Sequence, residues 1–132
     1  MKTTNIHSDY AFEGAYDFII DILSKVKVDG LFIEYDDQRS GGFEPLSKIF
    51  ASDPTRRVVL GLVTSKFGKL ESEDELIARI HEAEKCIPIE NLCLSTQCGF
   101  ASGEQGNIIT EEEQWAKISL VIRVAKKVWS DA

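Results

Sequence analysis

Positive charge is in deficit in this sequence: 15 Lys and Arg stand against 22 Asp and Glu, a formal net charge of -7. No Arg/Lys stripe and no paired aromatic platform compensates, so the charge pattern argues against nucleic-acid binding. Long apolar runs are also missing. None approaches the ~20 residues that a membrane-spanning helix needs, and no cationic leader precedes an apolar segment. These absences predict a soluble, cytoplasmic protein with no membrane association. Cysteine is scarce and odd in number: Cys86, Cys93 and Cys98 cannot all pair, which fits a reducing compartment better than a disulfide scaffold. Cys93 and Cys98 do not make a CxxC pair. The Walker pattern and Gly-x-Gly-x-x-Gly are absent, so Gly41-Gly42 is no phosphate loop. With two histidines, His7 and His81, the residue order supports no Ser/His/Asp constellation.

What is present is enough for one domain, over residues 1–132, with a hydrophobic core: 43% of the 132 residues are hydrophobic, which excludes wholesale disorder. Phe12, Ala15, Tyr16, Ile19, Ile20, Leu23 and Val26 recur at a helical period, predicting a helix over 11–26. Val28-Asp29-Gly30 turns the chain into a buried strand, Leu31-Phe32-Ile33, ending at Glu34-Tyr35. DDQRSGGF, residues 36–43, is a polar loop. Glu44-Pro45 starts a short helix that Asp53-Pro54 interrupts. Val58 to Val63 is a continuous apolar strand, suited to a sheet buried on both faces. Gly61 within it either permits a close backbone approach or is simply tolerated.

Ser72 with Glu75 predicts a capping box for a helix over 73–86. Leu92-Cys93-Leu94 is the third strand, and a polar loop covers 96–109. Thr110 with Glu113 caps a final helix over 111–129, whose expected inner face is Trp115, Ile118, Ile122, Ala125 and Trp129. The resulting order, α-β-α-β-α-β-α, predicts parallel βα units. Periodicity does not choose between a small layered α/β domain and an arc of a larger barrel.

In either case, ligand chemistry is expected beyond the carboxyl ends of the strands. Those ends carry Glu34 with Asp36, Asp37 and Arg39; Thr64 with Ser65 and Lys66; and Gln97 with Cys98. Glu34 is either a solvated partner of Arg39 or a ligand or acid/base group. Asp36 and Asp37 suit a turn, and Lys66 is expected to face solvent. Cys93, inside an apolar strand, is expected in the core, and Cys86 packs at a helix end. Cys98 is open between a core thiol, a reactive thiol and a metal ligand. His81 is expected on a helix surface and His7 in a polar leader.

Four ordered segments, IEYDDQRSGGFEPL, VVLGLVTSKFGKLE, LCLSTQCGF and EEQWAKISLVI, resemble the carboxyl-terminal part of cobalamin-independent methionine synthase-like proteins, most closely the shorter bacterial members. The resemblance covers about residues 16–129. It implies an α/β fold: part of a TIM (β/α)8 barrel, about three βα units with a preceding helix. It also implies zinc-dependent methyl transfer from a folate-type donor to a small thiol such as homocysteine. By resemblance, Glu34 and Cys98 are zinc ligands, and Arg39 and Ser40 match the motif after the glutamate without an assigned role. The family's His-x-Cys motif has no match, since Ser8-Asp9 follows His7. Its catalytic histidine has none either: Thr64-Ser65-Lys66 stands there, as in shorter relatives, marking a different substrate class.

A TIM barrel needs about 250 residues. The chain is therefore expected to be a truncated product, an excised fragment or a subunit that completes its sheet by homo-oligomerisation, and the reaction to be incomplete in this chain alone. The alternative is a noncatalytic α/β oligomerisation or binding module derived from that family.

Overall fold

The computed structural model describes residues 20–35, 42–101 and 106–130. Its elements run α1 (Ile20–Lys25), β1 (Gly30–Glu34), α2 (Glu44–Ser52), β2 (Arg57–Val63), α3 (Glu73–Glu84), β3 (Leu92–Thr96) and α4 (Glu111–Val128). A short 3-10 turn, Ile89–Asn91, precedes β3. The expected alternation of helix and strand is the observed one. Residues 11–19 of the first expected helix lie outside the described residues.

The three strands form one parallel sheet in the order β1-β2-β3. Leu31 pairs with Val58 and Ile33 with Leu60, while Val58 pairs with Leu92 and Leu60 with Leu94. Register partners share a face, and side chains alternate along each strand. These six residues therefore make one apolar face. It joins Leu46 and Ile49 of α2, Leu76 and Ile80 of α3, and Leu120 and Val124 of α4 in a single core. This is a partial (β/α) barrel of about three units.

The opposite face carries Phe32, Val59 and Cys93 in one row and Glu34, Gly61 and Ser95 in the next. Phe32 is 78% exposed there. Cys93 is consequently half-buried on the open face and not a core residue as its apolar neighbours suggested. Strand alternation decides this: in LCL, the two leucines take the helix-covered face and the cysteine takes the other.

Helix α4 buries only part of the expected face: Trp129 packs against the core as expected, but Trp115 and Ile122 do not. Lys117, Leu120 and Val124 are buried, with Val121, Val128 and Trp129 packed behind them. Trp115 is 55% exposed and Ile122 is likewise exposed. The stripe 117-120-121-124-128 is as helical in period as the one built on the tryptophans. Lys117 is tolerated in the buried stripe because it finds a carboxylate partner, Glu71, inside. Thr110 and Glu113 form the reciprocal capping box expected at its start. At α3 only half of the expected box forms among the described residues, Ser72 Oγ accepting from Glu75 N.

Helices α3 and α4 are joined at the surface by Glu73, which bonds Arg123 and Lys127. The Lys127 hydrogen bond first, and the Arg123 bond second, hold the Glu73 carboxyl below its ordinary range. His81 is exposed as expected and bonds Glu84. No helix among the described residues is long and apolar enough to cross a membrane.

Candidate functional site at the strand ends

Glu34 closes β1, and Gln97 and Cys98 follow β3 directly. Between them lies β2, whose register partner to Glu34 is Gly61. Neighbouring strands sit about 4.8 Å apart, so the two outer strands lie about 10 Å apart across the middle one. A side chain on the middle strand would block contact between them. Gly61 has none: a Cβ there would sit 3.2 Å from Gln97 Cα, 3.2 Å from Ile33 O and 3.5 Å from Glu34 Cα. The close approach left open by the sequence is therefore required. The register also slips between Gly61 and Val63, which face Ser95 and Thr96. Such an irregularity bends the strand end and re-aims side chains.

Gly61→Ala is expected to force the outer strands apart and cost about 1–2 kcal/mol, since the crowded atoms are backbone and cannot swing away. Urea unfolding checks the cost, and the thiol-to-carboxylate distance in the variant's crystal structure checks the displacement.

Across Gly61, the side chains meet. Cys98 Sγ donates to Glu34 Oε1 at 3.1 Å, and Gln97 Nε2 donates to Glu34 Oε2 at 2.7 Å. Lys66 Nζ donates in turn to Gln97 Oε1. Lys66 is only 3% exposed, which corrects the expectation of a solvent-facing lysine. The turn after β2 folds it inward against Gln97, so the ammonium leaves water for a hydrogen-bonded position. Thr96 Oγ1 donates to Cys98 O at 2.9 Å, and Gln97 N donates to Val63 O at 2.7 Å. These bonds fix the backbone that carries the thiol.

The Thr64-Ser65-Lys66 turn is held from behind. Glu71 Oε1 accepts from Thr64 N at 2.9 Å. Both Glu71 oxygens accept from Lys117 Nζ, at 2.9 and 3.1 Å. Asn107 Nδ2 donates to Ser65 O at 2.9 Å. Ser65 itself is fully buried, and its Oγ has no hydrogen-bond partner among the described residues. Neither Glu71 nor Lys117 was singled out in the sequence. A signal existed, because a lysine sits at an apolar position of the 117-120-121-124 stripe.

Of the candidate residues, the fold brings together Glu34, Cys98, Gln97 and Lys66. His81 is far along α3 on the surface and takes no part. His7, Asp36, Asp37, Arg39 and Ser40 lie outside the described residues.

Carboxylate and thiolate are both zinc donors. Bonds of about 2.0 and 2.3 Å at a tetrahedral angle place an oxygen and a sulfur about 3.5 Å apart. The Cys98 to Glu34 separation of 3.1 Å is within about 0.4 Å of that value. The pair therefore fits two corners of such a site. Among the described residues, no group of three or more His, Cys, Asp or Glu is placed to hold a metal.

Residues 2–127 match the family described as the catalytic domain of cobalamin-independent synthase. The chain belongs to that family. It is 52% identical over 126 residues to the uncharacterized protein YxjG of Bacillus subtilis, and 49% identical over 126 residues to the uncharacterized protein YxjH of the same organism. Each match covers 95% of this chain and 33% of the relative. The fold is similar to that of a putative vitamin-B12 independent methionine synthase from Listeria monocytogenes (TM-score 0.67, 36% identity, 89% of this chain and 32% of that one). It is also similar to a B12-independent methionine synthase from a Shewanella species, solved with selenomethionine (TM-score 0.63, 17% identity, 85% and 30%). That second likeness is one of fold alone. The chain thus spans about a third of the length of these relatives.

Proposed function

We propose that this chain carries part of the zinc site of a methyl-transfer domain of the methionine synthase type, with Glu34 and Cys98 as two of the ligands. The observation that carries this reading is the contact of Cys98 Sγ with Glu34 Oε1 at 3.1 Å, at the carboxyl rim of a parallel sheet, in a chain of this family. When bound, zinc would hold a small thiol such as homocysteine as its thiolate, ready to accept a methyl group.

The chain's own residues do the rest. Glu34 supplies a carboxylate oxygen and Cys98 a sulfur, whose proton is released when metal binds. The remaining ligands and the methyl-donor pocket come from outside the described residues, in keeping with a chain one third as long as its relatives. Copies of the chain completing one another's sheet would be one source.

Zinc titration of the purified, metal-stripped chain tests the site. Cys98→Ser and Glu34→Gln are each expected to weaken zinc binding by more than about 10-fold. Wild-type affinity in both variants would sink the assignment.

A second reading keeps the packing without the reaction: a noncatalytic α/β oligomerisation or binding module. It is favoured by the donor set among the described residues, which holds two of the four ligands of a tetrahedral zinc centre. Methyl transfer from a folate donor to homocysteine, abolished in Glu34→Gln, would eliminate it.

A further inference from the structure

Among the described residues, Gln97 is the side chain whose two ends face opposite partners at this site. Its Nε2 donates to Glu34 Oε2 at 2.7 Å, and its Oε1 accepts from Lys66 Nζ. An ionised carboxylate only accepts, and an ammonium only donates. A flipped amide would set its oxygen against the carboxylate and its NH2 against the ammonium. The two charged neighbours therefore select one orientation of the amide. Lys66, at 3% exposed, enforces that choice without competition from bulk water, where the same contact would be worth little.

The consequence falls on Glu34. A carboxylate can bind a metal through one oxygen or both. Here Oε2 is engaged by Gln97, whereas Oε1 is the oxygen beside the Cys98 sulfur. We propose that Gln97, oriented by Lys66, is a positioning residue that restrains Glu34 Oε2 and so presents Oε1 alone to the metal. The inference rests on the zinc-site reading above and adds to it a defined coordination mode. Gly61 is part of the same device, because it opens the corridor through which Gln97 reaches across β2.

Cobalt(II), which reports its coordination in the visible spectrum, is the probe. The chain, Gln97→Leu and the similarly sized Gln97→Met are titrated with it, and thermal unfolding of each confirms that the variant is folded. Removal of an outer-sphere partner lowers metal affinity by about 10–100-fold, and a loss in that range is expected for both variants. Their spectra should also weaken as Glu34 turns to two-oxygen binding and raises the coordination number. Lys66→Met should shift the spectrum in the same direction with a smaller loss.

A change of stability alone would not move the spectrum of the bound metal. Wild-type affinity and spectrum in Gln97→Leu would overturn the positioning role while leaving the zinc reading intact. No cobalt uptake by the unmutated chain would overturn both. A metal-free measurement bears on the orientation directly: the Gln97 side-chain amide protons should exchange slowly with solvent, and faster in Lys66→Met. Exchange at the rate of a solvated amide in the unmutated chain would refute the relay.

Discussion

Glu71→Ala is expected to be the most damaging single change at this end of the sheet, lowering the unfolding free energy by about 3–5 kcal/mol. The substitution leaves the Lys117 ammonium, 0% exposed, without the carboxylate that both of its short contacts reach. A buried charge deprived of its partner cannot recover hydration without opening the core. The reverse change is expected to be mild. Lys117→Met removes the charge and fills a similar volume. It leaves Glu71 20% exposed and still accepting from Thr64 N, so its cost should stay near about 1 kcal/mol. The asymmetry is the test, read from urea midpoints at unchanged m. Equal losses from the two changes would show that the contact acts as an ordinary surface pair. Glu71→Ala also releases Thr64 N, so the turn bearing Lys66 should loosen together with the stability loss.

Arg56→Met comes next, with an expected loss of about 2–3 kcal/mol. Arg56 is buried at the opposite end of the sheet. Its guanidinium donates to Val26 O at 2.6 Å, and to Leu23 O and Val28 O at 3.3 Å each. Those carbonyls lie in the last turn of α1 and in the link to β1, where helical carbonyls have no partners within the helix. One side chain thereby ties α1 to the start of β2. Methionine keeps most of the packing and none of the donors.

The loss is bounded because Val26 and Val28 are exposed, and a cleft of about 480 Å3 lined by both residues and by Arg56 admits water. Arg56→Lys should fall between, since one ammonium cannot span three carbonyls in the plane of a guanidinium. Circular-dichroism melts of the three proteins check the order, and a lysine variant as unstable as the methionine one would contradict it.

Much of this architecture was legible along the chain. The strands announce themselves as LFI, VVLGLV and LCL between helices with the right period. Parallel topology follows from that alternation, because each return to the sheet needs a helical crossover. The Thr110/Glu113 box marks the start of α4 because capping is local chemistry, settled within four residues. The four-segment resemblance placed Glu34 and Cys98 in one family motif set, which the match over residues 2–127 supports at the level of the family.

Local pattern was silent where partners come from far along the chain. Lys66 looked solvent-facing because lysines usually are, yet its partner Gln97 lies 31 positions away. Trp115 and Ile122 matched a helical stripe as well as Lys117, Leu120 and Val124 did. Burying the second stripe brings Lys117 to Glu71, 46 positions away, a contact that no local pattern shows. Gly61 could be marked in the sequence as a gap in an apolar run, but not as the gap through which two outer strands meet.

The sequence by itself determined the kinds and order of the elements, because propensity, periodicity and capping act over a few residues. Only the tertiary structure decided which oxygen of Glu34 faces Cys98 and which face of α4 is buried. It also decided that a lysine, a glutamine and a glutamate form one chain of hydrogen bonds. Those outcomes depend on strand register and on desolvation, and neither quantity exists until distant segments are packed together.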